Sequence, residues 1–170
     1  AAKEDANAEE PEAGDETGGA GVFSSFESTD LDENPVDETV FQGKKLTMVN
    51  IWATFCGPCV EEMPDLAELN REYADQGFQV IGIPVDVMDY NGEIAGDMVE
   101  TAEEIVEETG ADYLHILPST DLNEAKLNMV QSVPETIFVD ENGKQVGESY
   151  IGARSKADWA KIIEELLGEV

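Results

Sequence analysis

The sequence predicts an α/β fold, a central mixed β-sheet flanked by helices, and three observations carry that reading. Two near-continuous apolar runs, Leu46–Ala53 and Phe78–Val85, have the composition of strands buried on both faces. Helical periodicity follows each run: Met63, Leu66, Leu69 and Tyr73 after the first, Met98, Val99, Ala102, Ile105 and Val106 after the second. The chain then closes on a β-hairpin and a helix. Strands at Thr136–Asp140 and Gln145–Ile151 flank the turn residues Asn142-Gly143, and Trp159, Ile162, Ile163, Leu166 and Leu167 share one helical face. The order β-α-β-α-β, then hairpin and helix, is that of a mixed sheet sandwiched by helices.

The remaining elements fit this frame. Residues 1 to about 25 are Ala, Gly and acid without an apolar period, so they are expected to be a disordered acidic tether. The folded domain is expected over residues 26–170; with 170 residues in all, the chain suits one domain with a core rather than two. Thr29–Val36 contains the turn signal Asp-Glu-Asn-Pro and predicts a small N-terminal hairpin. The first long helix is expected from about Pro58, at the end of the first buried strand. Gly110 should stop the second helix, and Tyr113–Leu117 reads as a short strand.

A formal net charge of −30 repels phosphate backbones, which excludes nucleic acid as a partner and favours a soluble monomer. No apolar run approaches the roughly 18 residues that would span a bilayer.

The two cysteines, Cys56 and Cys59, are too close together to staple distant parts of a fold, so their role is local. They stand where a buried strand gives way to a helix. There the unpaired N–H groups and the positive end of the helix dipole stabilise a thiolate and lower the pKa of the first cysteine. Cys56 is therefore the expected nucleophile. Cys59, one turn on, can attack the resulting mixed disulfide. Pro58 is tolerated in the first helical turn because its missing N–H would have no partner there, and Gly57-Pro58 tunes the reduction potential. A zinc site would need about four ligands, and the only histidine, His115, lies far along the chain on a predicted strand. No metal and no cofactor beyond the cysteine pair is expected. A purely structural pair and an inactive binding module are the other uses such a motif could have.

The segment Val49-Asn-Ile-Trp-Ala-Thr-Phe-Cys-Gly-Pro-Cys-Val-Glu-Glu-Met-Pro64 resembles the active-site segment of thioredoxin-like proteins. More narrowly it resembles the TlpA/ResA group of extracytoplasmic thiol–disulfide oxidoreductases, and the likeness runs from about Phe26 to Leu167. The resemblance implies a thioredoxin fold with an N-terminal β extension and a central insertion over about residues 86–110, whose residues 88–91 could rim the site. It implies catalytic roles for Cys56, Cys59, Glu62 and Pro134. Val133-Pro134 is similar to the cis-proline loop that faces the cysteines. Trp52, Phe55, Gly57, Pro58, Val133 and Gly152 are expected to contact substrate.

Two positions depart from the wider family. Asn50 stands where thioredoxins proper carry a buried, proton-accepting Asp, and Glu62 occupies the position of a Glu found in the TlpA/ResA group. Glu62 is therefore expected to move the proton of Cys59. Phe55 stands where the family commonly has Trp.

The implied function is reduction of disulfides in extracytoplasmic proteins, with electrons from a membrane thiol donor. The implied location is outside the cytoplasm, held near a membrane by a signal or lipid anchor upstream of Ala1. A thioredoxin-fold binding or chaperone module and a thiol peroxidase are the alternative functions.

Overall fold

A computed structural model of the chain describes residues 21–170. Most of the expected tether, residues 1–20, lies outside the described residues. Its last five residues are a correction, because they are ordered. Phe23 is 1% exposed and packs its ring 6.2 Å from Phe26 and 6.4 Å from Phe41. Its N–H donates to the Gly143 carbonyl at 2.9 Å, so the segment docks on the far hairpin turn. Gly143 adopts φ +75°, and a Cβ there would lie 2.5 Å from the Phe23 carbonyl, so this docking requires glycine. A single buried Phe contributes about 1.5–3 kcal/mol, and an average over the composition of the segment does not register this one anchor.

The N-terminal hairpin pairs β1 (Glu27–Thr29) with β2 (Pro35–Asp37) antiparallel. The central strand β3 (Leu46–Trp52) is buried at every position. It leads into α1 (Gly57–Glu72), then β4 (Phe78–Pro84) and α2 (Gly96–Thr109) within the expected insertion. Gly110 ends α2 in the left-handed region, as its position predicts. The strand expected at 113–117 shortens to β5 (Leu114–His115). Next comes α3 (Thr120–Ala125), a short helix that apolar periodicity does not reveal. Its only buried residue is Leu122, and its signal is the N-cap Ser119, whose hydroxyl accepts the Leu122 N–H. β6 (Glu135–Val139) and β7 (Gln145–Ile151) form the predicted hairpin, and α4 (Lys156–Leu167) closes the chain.

The main sheet has five strands in the order β5-β4-β3-β6-β7, with β3 parallel to β4 and antiparallel to β6. Because side chains alternate along β3, its two faces feed two different cores. Leu46, Met48 and Trp52 pack with Met63, Leu66 and Leu69 of α1, Ala102 of α2, and Trp159 and Ile163 of α4. Val49 and Ile51 face a second layer built from Phe23, Phe26, Phe41 and Leu122. The sheet is thus covered by long helices on one face and by the N-terminal aromatics with α3 on the other. This alternation puts Asn50 on the same face as Trp52, towards α1, and that placement shapes the site.

Candidate active site

Cys56 and Cys59 are joined by a disulfide at the junction of β3 and α1. Cys56 is the N-cap of α1, and its sulfur accepts the Cys59 N–H at 3.2 Å. When the pair is reduced, that same N–H and the helix dipole face a Cys56 thiolate. Cys56 retains 6% exposure and Cys59 none, so an incoming sulfur can reach only Cys56. The junction is clamped from β4's end. Both carboxylate oxygens of Asp86 accept the Thr54 N–H, at 3.0 and 3.1 Å, and one accepts the Thr54 hydroxyl.

Around Cys56 the expected docking residues form a surface. Phe55 is 77% exposed, and Gly57 and Pro58 are exposed beside it. The Val133–Pro134 peptide is cis. The half-buried Val133 places its carbonyl oxygen 3.7 Å from the Cys56 sulfur. The Gly152 N–H donates to the Pro134 carbonyl at 2.8 Å, which brings the end of β7 beside this loop. Gly152 has φ +95°, a conformation that L side chains rarely adopt. Trp52 is the exception and a correction. It is fully buried in the helical core, its ring against His115, and offers no surface to a substrate. A strand buried on both faces does not reveal which of its residues point where, so its place next to the motif misleads. The rim expected at residues 88–91 uses Asp89 to close its own turn, accepting the N–H groups of Asn91 and Glu93.

Glu62 lies one helical turn past Cys59 and is 4% exposed, despite being one acid among 39. Three donors converge on it. The Asn50 amide reaches Oε1 at 3.2 Å, while the Trp159 indole N–H at 3.0 Å and the Arg154 backbone N–H at 3.1 Å share Oε2. Burial pushes the Glu62 carboxyl above its ordinary range, and the three donors with the Arg154 charge only partly oppose that rise. A carboxyl held this way can exchange a proton nearer neutrality than a surface glutamate does.

Other contacts at the site join residues far apart in sequence and were not legible there. Asp86 is one. The ion pair of Lys126 with Glu135, directly after Pro134, is another, with side chains 13% and 6% exposed. His115 is a core residue: its Nε2 bonds the Ala111 carbonyl, and burial holds its pKa down at about 4. Among the described residues no group of three or more His, Cys, Asp or Glu side chains is arranged to hold a metal ion. A cleft of about 600 Å³ between Asp30, Glu103, Glu107 and Tyr113 includes neither cysteine. Disulfide exchange at a protein surface needs no such cavity.

Known proteins resemble this chain. It is 27% identical over 122 residues to the thiol-disulfide oxidoreductase ResA of Halalkalibacterium halodurans, covering 72% of this chain and 62% of the relative. It is 27% identical to that of Oceanobacillus iheyensis, covering 69% and 55%. The matches therefore span somewhat over half the length of these two relatives. Among solved structures, a thiol:disulfide interchange protein of the thioredoxin family from Chlorobium tepidum TLS superposes with a TM-score of 0.69 at 26% identity. It covers 84% of this chain and 93% of the other, so the five-stranded sheet and its helices form a thioredoxin fold. The Redoxin family model matches residues 19–163, which is most of the chain, and the chain belongs to that family.

Proposed function

We propose that this chain is a thiol–disulfide oxidoreductase that reduces disulfides in extracytoplasmic proteins through Cys56 and Cys59. The observation that carries the reading is a disulfide at the start of α1 in which only Cys56 is reachable, with the Val133 carbonyl 3.7 Å from its sulfur. In the reduced protein the Cys56 thiolate attacks one sulfur of a substrate disulfide, and the other sulfur leaves as a thiolate that takes up a proton. Cys59 then gives its proton to the Glu62 carboxylate and attacks Cys56. The Cys56–Cys59 disulfide re-forms and the second substrate sulfur leaves as a thiol. The two electrons that the substrate gains are those the cysteine pair gives up.

Phe55, Gly57, Pro58, Val133 and Gly152 form the substrate contact, and Pro134 shapes the loop that presents Val133 to it. The partners are disulfide-bearing proteins and, to restore the dithiol, a thiol donor held in a membrane. We place the protein outside the cytoplasm and near that membrane, as the resemblance of the Val49–Pro64 segment to the extracytoplasmic TlpA/ResA group implies. No helix among the described residues is long and apolar enough to cross a membrane.

Insulin reduction with dithiothreitol tests the activity, using wild type, Cys56→Ser and Cys59→Ser. Wild type accelerates turbidity, Cys56→Ser does not, and Cys59→Ser accumulates a mixed disulfide visible by mass spectrometry. A folded wild type that gives no acceleration over buffer overturns the proposal.

A further inference from the structure

Arg154 follows β7 in a loop that also carries Gly152, and its position is unusual for a chain with 39 acids and 9 bases. Its guanidinium lies 5.0 Å from the centroid of the Tyr150 ring and 5.4 Å from that of Trp159. These rings meet edge to face, 5.7 Å apart. No carboxylate among the described residues forms a salt bridge with Arg154, and its buried NH1 has no hydrogen-bond partner. Aromatic faces hold this cation. The residue also reaches Glu62 by two routes that end on one oxygen. Its backbone N–H donates to Oε2, and so does the indole N–H of the Trp159 that the guanidinium covers.

A cation over an indole face draws electron density from the ring and makes the N–H a stronger donor, and the indole N–H of the fully buried Trp159 passes that gain to Glu62 where screening is weak. We infer that Arg154 is a positioning residue for Glu62: seated on Tyr150 and Trp159, it fixes and polarises the indole that binds the carboxylate, and so sets the pH at which Glu62 takes up a proton. The inference rests on the proposed role of Glu62 in moving the Cys59 proton. Three other elements face Glu62. Asn50 of β3 and Trp159 of α4 are neutral donors. Tyr113, between α2 and β5, is a buried hydroxyl that Glu62 helps to keep protonated. On α1 itself Cys59 is the titrating neighbour once the disulfide is reduced. Arg154 is therefore the cation in this set.

The test follows the Glu62 carboxyl carbon by NMR titration in the oxidised protein, which needs no catalysis, and the pH–rate profile of disulfide exchange beside it. Arg154→Gln should raise the Glu62 midpoint by about half a pH unit, roughly threefold in the ionisation constant. Arg154→Lys, which keeps a cation over the rings, should restore most of it. Tyr150→Leu, which removes half of the seat, should raise the midpoint part of the way. Coincident midpoints in Arg154→Gln and wild type, or equal shifts in the Gln and Lys variants, overturn the inference. If Arg154→Gln does not fold, an unshifted midpoint in Tyr150→Leu overturns it instead. A carboxyl shift that the rate profile does not follow supports the role of Arg154 and removes Glu62 from the exchange step.

Discussion

The side-chain amide of Asn50 donates to Glu62 at 3.2 Å and to the Thr136 hydroxyl at 3.1 Å, tying β3, α1 and β6 together behind the cysteines. Position 50 cannot exchange a proton, yet it holds the group that can. The carboxylate we propose for the Cys59 proton is thus supplied by the helix, with the strand as its support.

Replacing Glu62 by Gln should slow disulfide exchange at neutral pH by about 100-fold, the usual range for losing a positioned acid–base group. The limb of the pH–rate profile that rises as Glu62 ionises should vanish. Stability should change with the opposite sense. Because the folded carboxyl titrates above its unfolded value, the native state holds that proton more tightly, and stability falls as pH rises through the folded pKa. Glu62→Gln should therefore unfold at a higher urea concentration relative to wild type at pH 7 than at pH 4. Identical pH–rate curves would refute the assignment.

Asp86 accepts both the Thr54 N–H and its hydroxyl, two residues before Cys56. Asp86→Ala should cost about 1–3 kcal/mol, because it leaves a half-buried N–H without a partner. Hydrogen exchange at Thr54 should accelerate more than exchange in the centre of β3. Uniform acceleration across β3 would show that Asp86 supports the whole fold and not the junction.

Trp52 should behave as core. Trp52→Ala should cost about 3–5 kcal/mol by the cavity it leaves. Trp52→Phe should remain folded, with an unchanged KM for a disulfide peptide. A raised KM in that variant, with stability intact, would return Trp52 to the docking surface. Phe55→Ala, by contrast, removes an exposed ring and should raise KM with little effect on the urea midpoint.

His115 lies 3% exposed between Trp52 and Tyr113, with ring centroids at 5.7 and 4.6 Å. A Cβ on Gly82 would lie 2.5 Å from its Nδ1, so the imidazole is packed hard against backbone. Its folded pKa, about 4, lies below the ordinary 6.5, so the unfolded chain binds the extra proton first. The stability held by neutral His115 is present above about pH 6.5 and is lost as pH falls towards 4, by up to about 3 kcal/mol. His115→Gln should flatten that window in urea denaturation series at pH 7, 5.5 and 4.5. An unchanged slope would mean that other groups set the acid limb.

By itself the sequence determined the order of the long elements and the place of the cysteine pair. Apolar runs and helical periods are local, and so is a Cys-Gly-Pro-Cys pair at a strand–helix junction. That locality made β3, α1, β4, α2, the β6–β7 hairpin and α4 legible, and it made Cys56 the expected nucleophile. The short α3 escaped because a six-residue helix with one buried Leu has no period to read. Phe23 escaped because its partners, Phe41 and Gly143, are far along the chain. Only the tertiary structure decided that Trp52 turns inward and that Glu62, among so many acids, is the one buried under Asn50, Trp159 and Arg154. It alone decided that Asp86 clamps the turn before Cys56. Each of these is a contact across 12 to 97 residues of chain, and pairings at such separations are fixed by which faces the packed sheet and helices bring together, not by neighbours in sequence.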